Sequence, residues 1–212
     1  KTLTNLFAVP HKKVYYDAQY GTDFINIITL NSEILKFGSQ KWFLKKTLKE
    51  HQHFTWQLPQ YHRPNRPHVA WKKEMNNQCR HFVTQFEEYK NVKLALECDA
   101  HTCKTTYPIV LSKDKDAHEG FKRDDKNGIV YIGEGCWGAP LRQPNDNKPW
   151  TKASEAIDSF KWIFVSEDKI EVRVVKYSNA KEVVSDPTNK FEIPATIDLW
   201  KPNGESVTVI TK

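Results

Sequence analysis

The chain has 212 residues, a formal net charge of +6, 39% hydrophobic residues and 12% aromatic residues. This content excludes a disordered chain and allows one sizeable core or two small ones. The positive excess favours anionic partners in general, but lysines interleave with acids, as in Lys72-Lys73-Glu74, which reads as a solvated face and speaks against a nucleic-acid surface. Cysteines stand at 79, 98, 103 and 136 with no CxxC pair, which argues against a zinc knuckle. Cys98 and Cys103 leave two readings open, a disulfide or free buried thiols. There is no apolar run of membrane-spanning length, no signal peptide and no Asn-x-Ser/Thr acceptor. The chain begins at Lys1 instead of Met, which leaves room for a leader or a longer upstream region.

Residues 23–30 (DFINIITL) read as a β-branched strand. Ser39 reads as the N-cap of a helix over 40–50. Residues 54–60 form a short strand that delivers His62, and Pro64 and Pro67 stiffen the loop beyond it. Helical spacing of Met75, Cys79, Phe82, Phe86 and Tyr89 predicts a helix over 72–89 with one buried stripe. Residues 92–97 are the next strand. A right-handed strand–helix–strand unit then places His62 and Cys98 at the same end of neighbouring parallel strands. Ligand groups at such carboxyl ends are where α/β proteins put their sites. Residues 129–132 form a short strand running into a Gly-rich loop around Trp137 and Gly138. Residues 145–159 are polar and read as a long surface loop. Residues 160–165 and 169–176 read as a hairpin, and 197–200 and 207–210 frame the turn at Pro202-Asn203-Gly204. The predicted class is α/β with a β-rich C-terminal tail.

His62, Asp99 and His101 are the candidate metal ligands, since two imidazoles and a carboxylate at strand ends can hold a hard or borderline divalent ion. Each also has an ordinary reading, as a polar strand-end or turn residue. His51 and His53 flank a helix end and read as solvent-facing. Trp137 either fills the core of its loop or walls a substrate site.

Three stretches in order resemble the calcineurin-like metallophosphoesterases, in their purple-acid-phosphatase-like branch. They are the segment from Tyr15-Tyr16-Asp17 through Gly38-Ser39-Gln40, then Gln60-Tyr61-His62-Arg63-Pro64, and then Cys98-Asp99-Ala100-His101 with its tail Tyr107-Pro108-Ile109. Asn127-Gly128-Ile129 and the Gly-rich loop also fit, so the resemblance covers residues 14–177. It implies a four-layer α/β/β/α sandwich of which this chain is the C-terminal half, with 178–212 as a hairpin extension or small terminal domain. It implies two metal ions, iron, zinc or manganese, whose bridging hydroxide attacks phosphorus in a phosphomonoester or phosphodiester. By position, His62 ligates one metal and His101 faces the other. Asp99 takes the place of a histidine, His68 contacts phosphate or the leaving group as the catalytic histidine, and Trp137 and Gly138 form the substrate-side loop. The resemblance favours a secreted or periplasmic protein.

Two departures stand out. Cys98-Asp99 replaces Gly-His, and a carboxylate there shifts preference toward manganese, magnesium or calcium, or weakens one metal position. The family's earlier ligand blocks are absent from this sequence. The expectation is therefore a hydrolase only when a partner polypeptide supplies the N-terminal half. The alternatives are a catalytically degenerate relative that binds a polyanion or glycan, and an unrelated α/β domain.

Overall fold

The computed structural model describes residues 14–33, 38–72, 77–133, 138–184 and 193–212. In chain order the elements are β1 (Tyr16–Tyr20), β2 (Ile25–Thr29), α1 (Gly38–Glu50), β3 (Trp56–Gln60), α2 (Asn77–Phe86), β4 (Leu94–Leu96), β5 (Cys103–Thr106) and β6 (Ile109–Leu111). There follow β7 (Phe121–Arg123), β8 (Val130–Gly133), β9 (Thr151–Glu155), β10 (Ser159–Val165), β11 (Lys169–Lys176) and β12 (Thr208–Thr211).

Seven strands form one mixed sheet in the order β1-β2-β3-β4-β8-β5-β9. Its centre is parallel: Ile27 pairs with Leu58, Gln60 with Leu96, and Ala95 with Tyr131. The expected strand–helix–strand arrangement is therefore present. Both flanks are antiparallel, β1 on β2 at one edge and β5 and β9 at the other.

One face of the sheet is covered by the helices. In α1 the buried residues Gln40, Leu44, Thr47 and Leu48 recur at helical spacing. Gln40 also ties the helix to the strand before it, accepting from Asn31 N at 2.7 Å and donating to Asn31 O at 3.0 Å. Ser39 lies within the helix, and its hydroxyl accepts from Tyr15. In α2, Phe82, Val83 and Phe86 are buried against Ile28, Tyr61 and Tyr131. Met75 and the side chain of Cys79 fall outside the described residues.

The other face packs against the antiparallel sheet β10-β11-β12. Ile170, Val172 and Ile210 meet Trp56, Leu58, Leu94 and Val130 in a second core cluster. Trp56 Nε1 donates to Ser166 O at 2.6 Å and pins the β10–β11 turn to the large sheet. The outward side of β10 presents Phe160, Trp162 and Phe164, with Trp162 and Phe164 stacked at 5.3 Å.

Two expectations are corrected and one open alternative is resolved. Residues 151–155 are not loop but an edge strand, whose polar sequence (TKASE) suits an edge with little apolar cover. His51 is half-buried, edge-on to Phe54 at 4.9 Å, while His53 is exposed as expected. Cys98 and Cys103 are both free, the first exposed and the second buried. Among the described residues no helix is long and apolar enough to cross a membrane.

Candidate functional site

A cleft of about 550 Å³ opens at the carboxyl ends of β2, β3, β4 and β8. Thr29, Gln60, His62, Glu97 and Cys98 line it from the strand ends, and Ser159 and Lys161 line it from β10. It forms there because the parallel strands stop together while the chain turns away into loops. Gly133 lets β8 approach closely; a Cβ at that position would stand 2.5 Å from Glu97 O. Ser159 Oγ and Lys161 Nζ are buried near Cys103, whose thiol burial pushes up despite the Lys161 charge.

His62 and Asp99 come together on the rim. His62 Nε2 lies 3.5 Å from Asp99 Oδ1, and the imidazole is 58% exposed. The carboxylate has another partner, which sequence reasoning missed. Lys72 Nζ sits 2.8 Å from the same Oδ1. Burial pushes the Asp99 carboxyl up, but the Lys72 hydrogen bond and charge, with His62 and Arg63, outweigh it and hold it below the usual range. No spacing signal links Lys72 to Asp99; the contact depends on how the chain reverses between His62 and Trp71.

His101 is turned toward a different neighbour. Its Nδ1 lies 3.1 Å from Pro140 O. Arg142 clamps this turn, its backbone N donating to His101 O at 3.0 Å and its Nη1 to Asp99 O at 3.1 Å. Asp99 and His101 both adopt positive φ, 69° and 57°. Two non-glycine residues in the left-handed region within three positions is strain that the surrounding bonds must hold. Gly138 is described and exposed with φ 76°, whereas Trp137 lies outside the described residues.

Beneath the rim lies a buried ion pair. Glu97 follows β4, and its Oε2 is 2.7 Å from Lys104 Nζ, with side chains 0% and 1% exposed. Glu97 Oε1 accepts from Tyr61 OH at 2.6 Å and from Asn65 N at 2.9 Å. Lys104 Nζ also donates to Arg66 O at 3.1 Å. Glu97 and Lys104 thus fasten the loop 61–66 that carries His62.

His68 is buried, not on the cleft. Its Nε2 is 2.6 Å from Thr151 Oγ1, its Nδ1 is 3.2 Å from Arg66 O, and its ring stands edge-on to Trp150. Contact with a phosphate or leaving group needs an open ring nitrogen that this packing does not offer. Burial first, then the Lys104 and Lys148 charges, lowers its pKa from 6.5 to about 2. The histidine is therefore neutral when folded but binds a proton below about pH 6.5 once unfolded. Its contribution to stability is whole above that pH and falls as pH drops toward the folded value. At about 1.4 kcal/mol per pH unit, roughly 2 kcal/mol should be lost by pH 5. Denaturant midpoints at pH 7 and pH 5 check this. His68→Gln should flatten the fall, and an unchanged fall in that variant would contradict the assignment.

The donor set among the described residues does not by itself make a metal pair. Among the described residues no three His, Cys, Asp or Glu side chains gather as a metal-binding group. The rim carboxylate is already met by an ammonium, and a metal at the same oxygen would face that charge at short range.

No protein-family model matches the sequence, and no curated protein matches it. Two solved structures are similar in fold. "Structure of PhoD" aligns with a TM-score of 0.55 and 11% identity over 78% of this chain and 39% of that chain. "GAP50 the anchor in the inner membrane complex of Plasmodium" aligns with a TM-score of 0.53 and 10% identity over 80% of this chain and 52% of that one. The chain thus spans about two fifths and one half of these proteins. Both neighbours have purple-acid-phosphatase-like folds, and the mixed α/β fold described above is of that kind.

Proposed function

We propose that this chain is the C-terminal half of a metallophosphoesterase-like fold, and that its cleft binds a ligand without carrying out metal-dependent hydrolysis. The observation that carries this reading is the Lys72 ammonium, 2.8 Å from Asp99 Oδ1. The resemblance makes Asp99 a metal ligand, and the ammonium neutralises that carboxylate. An ammonium on a side chain cannot activate water as a divalent ion does. One fold neighbour is described as an anchor, which is compatible with a binding role for this architecture.

A second reading has one observation in its favour. His62 and Asp99 share the rim of a cleft at the carboxyl ends of parallel strands. A separate polypeptide could then bring the remaining ligands, Lys72 would have to swing away, and a phosphoester would be the substrate. The outward aromatic row of β10 is a surface on which such a polypeptide would pack.

Calorimetric titration with manganese and zinc separates the readings. The wild-type protein should bind neither ion at the rim. Lys72→Ala should leave Asp99 without its cation and gain measurable affinity, lost again in Lys72→Ala/His62→Ala. Tight wild-type binding that disappears in His62→Ala alone would overturn the proposal in favour of the second reading.

A further inference from the structure

Beside the cleft, Trp71, Lys72 and Arg142 form a surface that the core does not use. Trp71 is 64% exposed, although a tryptophan is usually well covered. The Arg142 guanidinium lies 4.7 Å from the centre of its ring and the Lys72 ammonium 5.6 Å. Contacts of this kind hold both cationic heads beside the indole. The Lys72 charge is met by Asp99. The Arg142 charge is not, because its Nη1 bonds to the Asp99 backbone carbonyl and no described carboxylate pairs with it. A guanidinium has five N–H donors, and one is spent here. Among the described residues, one positive charge with free donors is thus left beside an exposed indole, next to His62 and the mouth of the cleft. The strained turn at Asp99 and His101 is held by this same arginine.

We propose that Trp71, Lys72 and Arg142 bind, without any metal, a sugar ring carrying an anionic ester, sulfate or phosphate. The indole takes the C–H face of the ring, and the guanidinium fork takes the oxyanion in charge-assisted hydrogen bonds. Lys72 adds a second positive centre while remaining bonded to Asp99. A single-stranded nucleic acid is the poorer fit, because such ligands call for a basic groove with successive aromatic platforms and the described residues of this rim offer one exposed indole. The proposal rests on the reading that the cleft binds without hydrolysis, and it names the ligand class.

The test is calorimetry on the whole protein in EDTA, with glucose 6-phosphate, glucose 6-sulfate, glucose and inorganic phosphate as probes. At least one ester should bind, and glucose and inorganic phosphate should bind at least about tenfold more weakly. Which ester binds identifies the source of the anion. Trp71→Ala should weaken ester binding by about tenfold or more, while Trp71→Phe keeps most of it. Arg142→Lys, which retains charge and the backbone bond to His101 O but loses the fork, should weaken it similarly. Three results would overturn the proposal: no ester binding by the wild type, ester binding that survives both Trp71→Ala and Arg142→Lys, or inorganic phosphate binding as tightly as the esters. Release of phosphate from glucose 6-phosphate after manganese is added would instead overturn the non-hydrolytic reading, whatever the affinities in EDTA.

Discussion

Lys104→Met should cost about 3–5 kcal/mol of folding stability, the usual penalty for removing one partner of a buried ion pair. Both charged groups are shut off from water, and Nζ and Oε2 are 2.7 Å apart. Methionine keeps most of the side-chain volume, so the loss is chiefly electrostatic. Among the described residues it leaves the Glu97 carboxylate with the Tyr61 hydroxyl and the Asn65 amide. For a chain of this size each kcal/mol moves the melting temperature by about 2–4 °C, so a drop on the order of 10 °C is expected. Glu97→Gln in the same background should recover part of it, because the buried charge is gone while the amide oxygen can still accept. A thermal melt within about 2 °C of wild type would mean that water reaches Glu97, contrary to its burial.

Trp56→Ala should be comparably severe, about 3–5 kcal/mol. The indole is fully buried in the cluster between the two sheets, among Leu58, Leu94, Ile170 and Ile210. Its removal empties a space that strands on both sides cannot close. It also takes away the donor to Ser166 O, the one side-chain bond holding the β10–β11 turn to the large sheet among those described. Trp56→Phe separates the two losses. It keeps much of the volume and loses the N–H, so about 1–2 kcal/mol is expected. Guanidinium midpoints of the three proteins should fall in the order wild type, Trp56→Phe, Trp56→Ala. Equal midpoints for the two variants would assign the whole effect to the hydrogen bond and none to packing.

The elements that carry their own periodicity were legible in the sequence. β2 announces itself by an apolar run, β3 by Trp56 and Leu58 at alternate positions, α2 by the spacing of Phe82 and Phe86, and the β10–β11 hairpin by two strand-like stretches around a polar turn. The parallel pairing of β3 with β4 follows from the helix between them. β9 was not legible. Its polar residues pair with β5 across some fifty positions of chain, and an edge strand needs no apolar alternation.

The candidate site divides in the same way. That His62 and Asp99 meet was readable from the two strand ends. That Lys72 takes the Asp99 carboxylate was not, because a loop contact leaves no periodic trace. His68 was misplaced for a related reason. The resemblance put it in contact with phosphate or the leaving group, yet Trp150 and Thr151, far along the chain, close over it. Long-range burial of a polar side chain appears only once the layers are assembled.

The most direct measurement is metal content and phosphatase turnover of the natural full-length protein, purified without added metal and without chelator. A cleft whose rim carboxylate is neutralised by Lys72 predicts less than about one tenth of a transition-metal ion per chain and no turnover of p-nitrophenyl phosphate above buffer, with or without manganese or zinc. One to two ions per chain, with turnover that collapses in His62→Ala, would contradict the account.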